Sequence, residues 1–143
     1  MAAIITPQSP HIERPFGWKT WRVQLGTLTG TSDETVVTLP AYTIILAGRI
    51  VVLQAPVGDT GATCDIEIGA TGAGDTALLS GGADFLGTLG NTESVTSDAN
   101  LTTINALAAA GGANVVNATT VWTGTATTTA IFEVSLLCGR NVI

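Results

Sequence analysis

"CDIEIGATGAGDTALLSGGADF", residues 64–85, places two patterns side by side. Cys64, Ile66 and Ile68 alternate with Asp65 and Glu67, the period of two of a strand with one face on a core. From Gly69 the chain turns to Gly, Ala and Asp, a layout shared by nucleotide-binding and calcium-binding loops. A phosphate loop ends in Lys-Ser/Thr at the start of a helix. "GATGAGDT" has no lysine, and Lys19 is the only lysine of the chain. The glycines at 69, 72 and 74 also miss the dinucleotide-binding spacing, and no βαβ pattern surrounds them. Calcium is the stronger challenger, because Asp75 has Asp59, Asp65, Glu67 and Asp84 near it in sequence. The EF-hand spacing is absent, however, and loop aspartates favour turns through their own hydrogen bonds. The stretch therefore reads as an alternating strand followed by a packed turn, inside a β-protein.

The flanking sequence extends that reading. Threonine supplies about one residue in six and, with Val and Ile, favours strands. In "WKTWRVQLG" (18–26), Trp21, Val23 and Leu25 share one face, with Arg22 and Gln24 on the other. "ETVVTLP" (34–40) is a second strand, and "YTIILAGRIVVLQAPV" (42–57) is one bent strand or two, broken at Ala47-Gly48. "LTTINALAAAGG" (101–112) allows a short helix closed by Gly111-Gly112. "ANVVNATTVWTGT" and "TTTAIFEVSLLCGR" read as a closing hairpin, with Ala130, Phe132, Val134, Leu136 and Cys138 on one face. Cys64 and Cys138 sit in apolar runs as small buried hydrophobes, with a disulfide between them as the alternative. The expected fold is all-β: an antiparallel β-sandwich of residues 18–143, preceded by an extended N-terminal arm, residues 1–17.

The arm carries Pro7, Pro10 and Pro15, which remove backbone donors and keep it extended and away from a sheet centre. Alone it is expected to be disordered, and a partner surface would order it. Arg14, Lys19 and Arg22 lie in or just after it, interleaved with Phe16, Trp18 and Trp21.

Composition narrows the function. The chain has 143 residues, 45% hydrophobic and 11% charged, with a net charge of −6. That length fits one domain, and the charged share is about half the usual one. So little charge suits a surface covered by neighbours. The acidic balance argues against nucleic acid, and no apolar run reaches the roughly 18 residues of a membrane span. The opening "MAAIITPQSPHIERPFG" lacks the pattern of a signal peptide, so synthesis in the cytosol without export is expected. His11, the one histidine, stands in the arm, where a general base would not be held against a substrate. One His and two distant Cys do not make a zinc set. Asp65 and Glu67 read as solvating a strand face rather than as a catalytic pair. No enzyme activity, cofactor or metal is expected. Exposed aromatics leave sugar binding as a rival, although Trp21 and Trp122 read as core or interface anchors.

"VQLGTLTG", "LPAYTIIL", "RIVVLQAPV", "ATCDIEIG", "DTALLSGGADF" and "TTVWTGTATTTAIFEVSLL" together resemble small β-sandwich virion proteins of tailed bacteriophages, over roughly residues 20 to 138. The resemblance implies a jelly-roll-like sandwich without enzymatic activity, built into the virion and often oligomeric. A single domain with an arm suits a capsid decoration (cement) protein on the outer surface of the head, assembled in the host cytoplasm. Its partners would be the major capsid protein and copies of itself, a trimer in preference to a dimer. Ile4, Ile5, Phe16 and Trp18 would be apolar anchors and His11 a polar contact, with Arg14, Lys19 and Arg22 pairing with acidic capsid groups. The alternative is a receptor-binding, glycan-recognising module of a tail or fibre.

Overall fold

The computed structural model describes residues 3–7, 17–25, 30–40, 43–57, 63–69, 76–81, 86, 90, 92–95, 115–122 and 128–140. Among them are nine strands: β1 (Ile4–Pro7), β2 (Gly17–Gln24), β3 (Gly30–Thr38), β4 (Thr43–Gln54), β5 (Thr63–Gly69), β6 (Thr76–Gly81), β7 (Thr92–Val95), β8 (Val115–Trp122) and β9 (Ile131–Arg140). They form two antiparallel sheets, ordered β1-β2-β9-β4-β7 and β3-β8-β5-β6. The all-β sandwich expected from the sequence is the fold observed.

The pairing is nested: β2 lies beside β9, β3 beside β8, β4 beside β7 and β5 beside β6. The chain is therefore one long ribbon folded double at the β5–β6 connection, with successive pairs falling in alternate sheets. That connection, residues 70–75, is the glycine-rich stretch that resembles a ligand loop. Bridging pairs β9–β4 and β8–β5 then complete each sheet.

Between the sheets, the inward positions of each strand form the core. Ala130, Phe132, Val134, Leu136 and Cys138 all face inward and are buried, as their spacing predicts. Trp21, Val23 and Leu25 join them from β2 and the residue that follows it, and Ile45, Ile50 and Val52 from β4. Cys64 and Ile66 of β5 and Val116, Ala118 and Trp122 of β8 close the core from the other sheet. Each large apolar side chain removed from water here contributes about 1.5–3 kcal/mol before entropy is counted.

Two features differ from the sequence reading, and a third decides between its alternatives. β8 and β9 form no hairpin: β8 pairs with β3 and β5, and β9 with β2 and β4, in different sheets. Alternation puts their apolar faces on a common core but says nothing about which strand bonds to which. β4 is a single strand, with a register shift between Ile45 and Ala47 that absorbs one extra residue, Leu46. Such a bulge bends a strand without ending it, which is why Ala47-Gly48 reads as a break. β6 and β7 are strands where the sequence shows only short apolar clusters and a polar stretch. The helix expected over 101–112 lies outside the described residues.

The corners are fixed by threonine. The Thr43 hydroxyl donates to the Pro40 carbonyl at 2.6 Å, setting the turn into β4. Thr128 and Thr129 tie the start of β9 to its neighbours: Val57 N–H donates to Thr128 Oγ1 at 3.0 Å and Gln54 Nε2 to the Thr129 carbonyl at 2.8 Å. Thr129 Oγ1 in turn donates to the Leu25 carbonyl at 2.5 Å.

Candidate functional site

The expected contact residues fall into three environments. Ile4 and Ile5 belong to β1, which pairs antiparallel with β2 of the same chain, Ile4 opposite Gln24 and Pro7 opposite Trp21. The surface that holds this part of the arm is thus the chain's own sheet edge. Ile4 is 53% exposed, whereas Ile5 packs against the core. Pro7 ends the strand, consistent with a residue that cannot donate to a ladder. His11, Arg14 and Phe16 lie outside the described residues.

The other three sit on β2, where alternation separates them. Trp18 and Arg22 point outward with Thr20 and Gln24, while Lys19 is on the inner face with Trp21 and Val23. Lys19 is only 3% exposed. As placed it faces the interior and not a partner, because a one-residue step along a strand reverses the side. Gly17 enters β2 at φ +110°, a conformation that glycine adopts and other residues rarely do. Lys19 lies near Cys138, whose thiol is pushed up to about 11 by burial, with the lysine's positive charge opposing that rise. Both cysteines are buried and no disulfide joins them.

The outer face of the five-stranded sheet is therefore the surface that Trp18 and Arg22 help to build. Cross-strand rows run over it. Trp18 stands opposite Leu137, and Leu137 opposite Ala47. One row further on are Thr20, Ser135 and Arg49, where Thr20 Oγ1 and Ser135 Oγ share a hydrogen bond of 2.9 Å. The next row pairs Arg22 with Glu133, their charged groups 3.6 Å apart. Leu46, pushed out by the bulge, and Ile44 lie over Gly139, where a Cβ would come within 3.3 Å of Ile44 Cγ1. Trp18 and Leu46 are 51% and 48% exposed. An apolar strip thus borders Arg49 and the Arg22–Glu133 pair, a mixture suited to protein contact.

The outer face of the four-stranded sheet is polar. Asn117, buried on β8, donates through Nδ2 to Asp33 Oδ1 at 3.0 Å and accepts from Thr35 Oγ1 at 3.4 Å. The Thr119 hydroxyl donates to the same Asp33 oxygen at 2.5 Å. Asp65 and Glu67 occupy the register positions opposite Thr119 and Asn117. No group of three or more metal-ligating side chains comes together among the described residues. Asp59, Asp75 and Asp84, the loop carboxylates considered for calcium, lie outside them.

No family model matches the chain, and no curated protein matches it in sequence. Among solved structures it resembles the capsid of Ralstonia phage GP4, with a TM-score of 0.55 at 12% identity. The likeness covers 95% of this chain and 92% of that one. At such identity it is a likeness of fold.

Proposed function

We propose that this chain is a non-enzymatic structural protein of a bacteriophage particle. The observation that carries the reading is the fold shared with a phage capsid chain over nearly the full length of both. The finer proposal is a decoration (cement) protein of jelly-roll type, bound to the outer surface of the major capsid protein lattice. The nested strand order supports the jelly-roll part, since two interlocked Greek keys wire eight strands in this way. The exposed apolar strip beside Arg22 and Arg49 supports an adhesive role, in which many weak clips together resist rupture of a shell. A trimer is the proposed assembly, and His11, Arg14 and Phe16 are proposed to extend the contact from the arm.

Quantitative mass spectrometry of purified particles tests this. Copy number in proportion to the capsid lattice is the expected result. The few copies of a tail tip would favour the receptor-binding alternative, and absence from particles would sink the virion reading altogether. The arm is tested by replacing His11, Arg14 and Phe16 with alanine, which leaves β1 in place. Occupancy is expected to drop, and unchanged occupancy removes the arm from the mechanism.

A further inference from the structure

Charge is divided between the two sheets. The chain has five basic residues. Four of them, Lys19, Arg22, Arg49 and Arg140, lie on β2, β4 and β9 of the five-stranded sheet, whose strands also hold Glu93 and Glu133. Lys19 faces inward and Arg22 pairs with Glu133, which leaves Arg49 as the cation of the outer face. The strands of the four-stranded sheet hold Asp33, Glu34, Asp65 and Glu67 and no basic residue. Arg49 is exposed and makes no ion pair among the described residues. Asp33 is exposed on the opposite outer face, and both of its hydrogen bonds end on Oδ1. Two donors on one oxygen fix the carboxylate's orientation and leave Oδ2 for an external donor.

The apolar neighbours of these two charges repeat one offset. Leu137 stands one strand and one row away from Arg49. Val121, 43% exposed, stands one strand and one row away from Asp33. Strand spacing and residue rise make each offset about 5 Å across the sheet and about 7 Å along it.

We infer that the outer face of the five-stranded sheet docks on the outer face of the four-stranded sheet of a second copy of this chain, with Arg49 on Asp33 and Leu137 beside Val121. The two faces look in opposite directions, so the contact is heterologous and a dimer leaves one face of each kind unused. This contact needs only the chain itself; it occupies the strip that the virion reading gives to the capsid lattice, so the two are alternatives for that face.

Sedimentation velocity of the full chain over a wide concentration range tests it. Reversible growth past the dimer is expected. Arg49→Glu reverses the cation, whereas Asp33→Asn keeps an Oδ1 acceptor and removes the charge. Each is expected to weaken association about fivefold or more, with a melting temperature close to the parent's. In an equimolar mixture, the intact basic face of the Asp33→Asn chain meets the intact acidic face of the Arg49→Glu chain. One-to-one dimers should then form at concentrations where either variant alone is monomeric. A parent chain that is monomeric throughout, or that stops at a dimer, overturns the inference. So do variants that associate as tightly as the parent. Any of these results leaves copy number in particles as an independent question.

Discussion

At the residue scale the core contains polar atoms whose cost can be measured. Thr120 Oγ1 and the Trp122 indole N–H are buried on the inner face of β8 without a hydrogen-bond partner among the described residues. A buried hydroxyl that gains nothing in the fold still lost its water. Thr120→Val keeps the shape and removes the hydroxyl, so it is expected to raise stability by about 1 kcal/mol in urea unfolding. A loss of stability would mean that an ordered water bonds the hydroxyl, as buried waters do in polar cavities. Cys138 gives a pH dependence of definite sign. Its value in the fold, about 11, lies above the ordinary 9.0, so the unfolded chain gives up its proton first as pH rises. Stability is complete below about pH 9 and falls through about pH 11, by up to about 3 kcal/mol. Comparing urea unfolding at the two ends of that window in the parent and in Cys138→Val checks it. The fall should shrink in the variant; an equal fall in both assigns it to other groups.

At the element scale, β1 shows how a short strand contributes. It covers half the open edge of β2, from Trp21 to Gln24, and seats Ile5 against the core. A truncated chain without residues 1–7 is expected to lose about 1–2 kcal/mol. It should also aggregate more readily, because an uncovered edge accepts strands from other chains. An unchanged urea midpoint would show that β1 adds nothing to the fold. The same scale marks what was legible in the residues. β2, β5 and β9 are alternating runs, and period two alone gives the inward positions of β2 and β9 and, on β5, Cys64 and Ile66. β6 and β7 are short and read as loop, since "TALLSG" and "TESV" acquire strand geometry from their neighbours β5 and β4. Propensity cannot report a strand whose stability lies in its partner.

At the scale of the whole molecule, the nested ribbon brings residues far apart in sequence into common rows. Asp33 meets Thr119 and Thr20 meets Ser135 only because β3 lies beside β8 and β2 beside β9. The two outer faces, and their division of charge, exist at this scale and at no lower one. Arg22 was legible as a surface residue, yet Arg49 and Leu46 carried no signal in sequence, because a bulge and a sheet order decide where they emerge. Lys19 was legible as a basic residue after the arm, and the phase of β2 turned it inward.

Sequence alone determined the class of the fold and most of the core, because burial on a strand follows a local period that any single segment displays. It also disposed of the phosphate-loop reading of residues 64–85 through one missing lysine. The tertiary structure decided the partner of each strand, and with it set β5 antiparallel to β6 at the centre of the nested order. Strand pairing joins backbone groups that are alike in every residue, so it is selected by the packing of the complete sandwich and not by any one stretch of side chains.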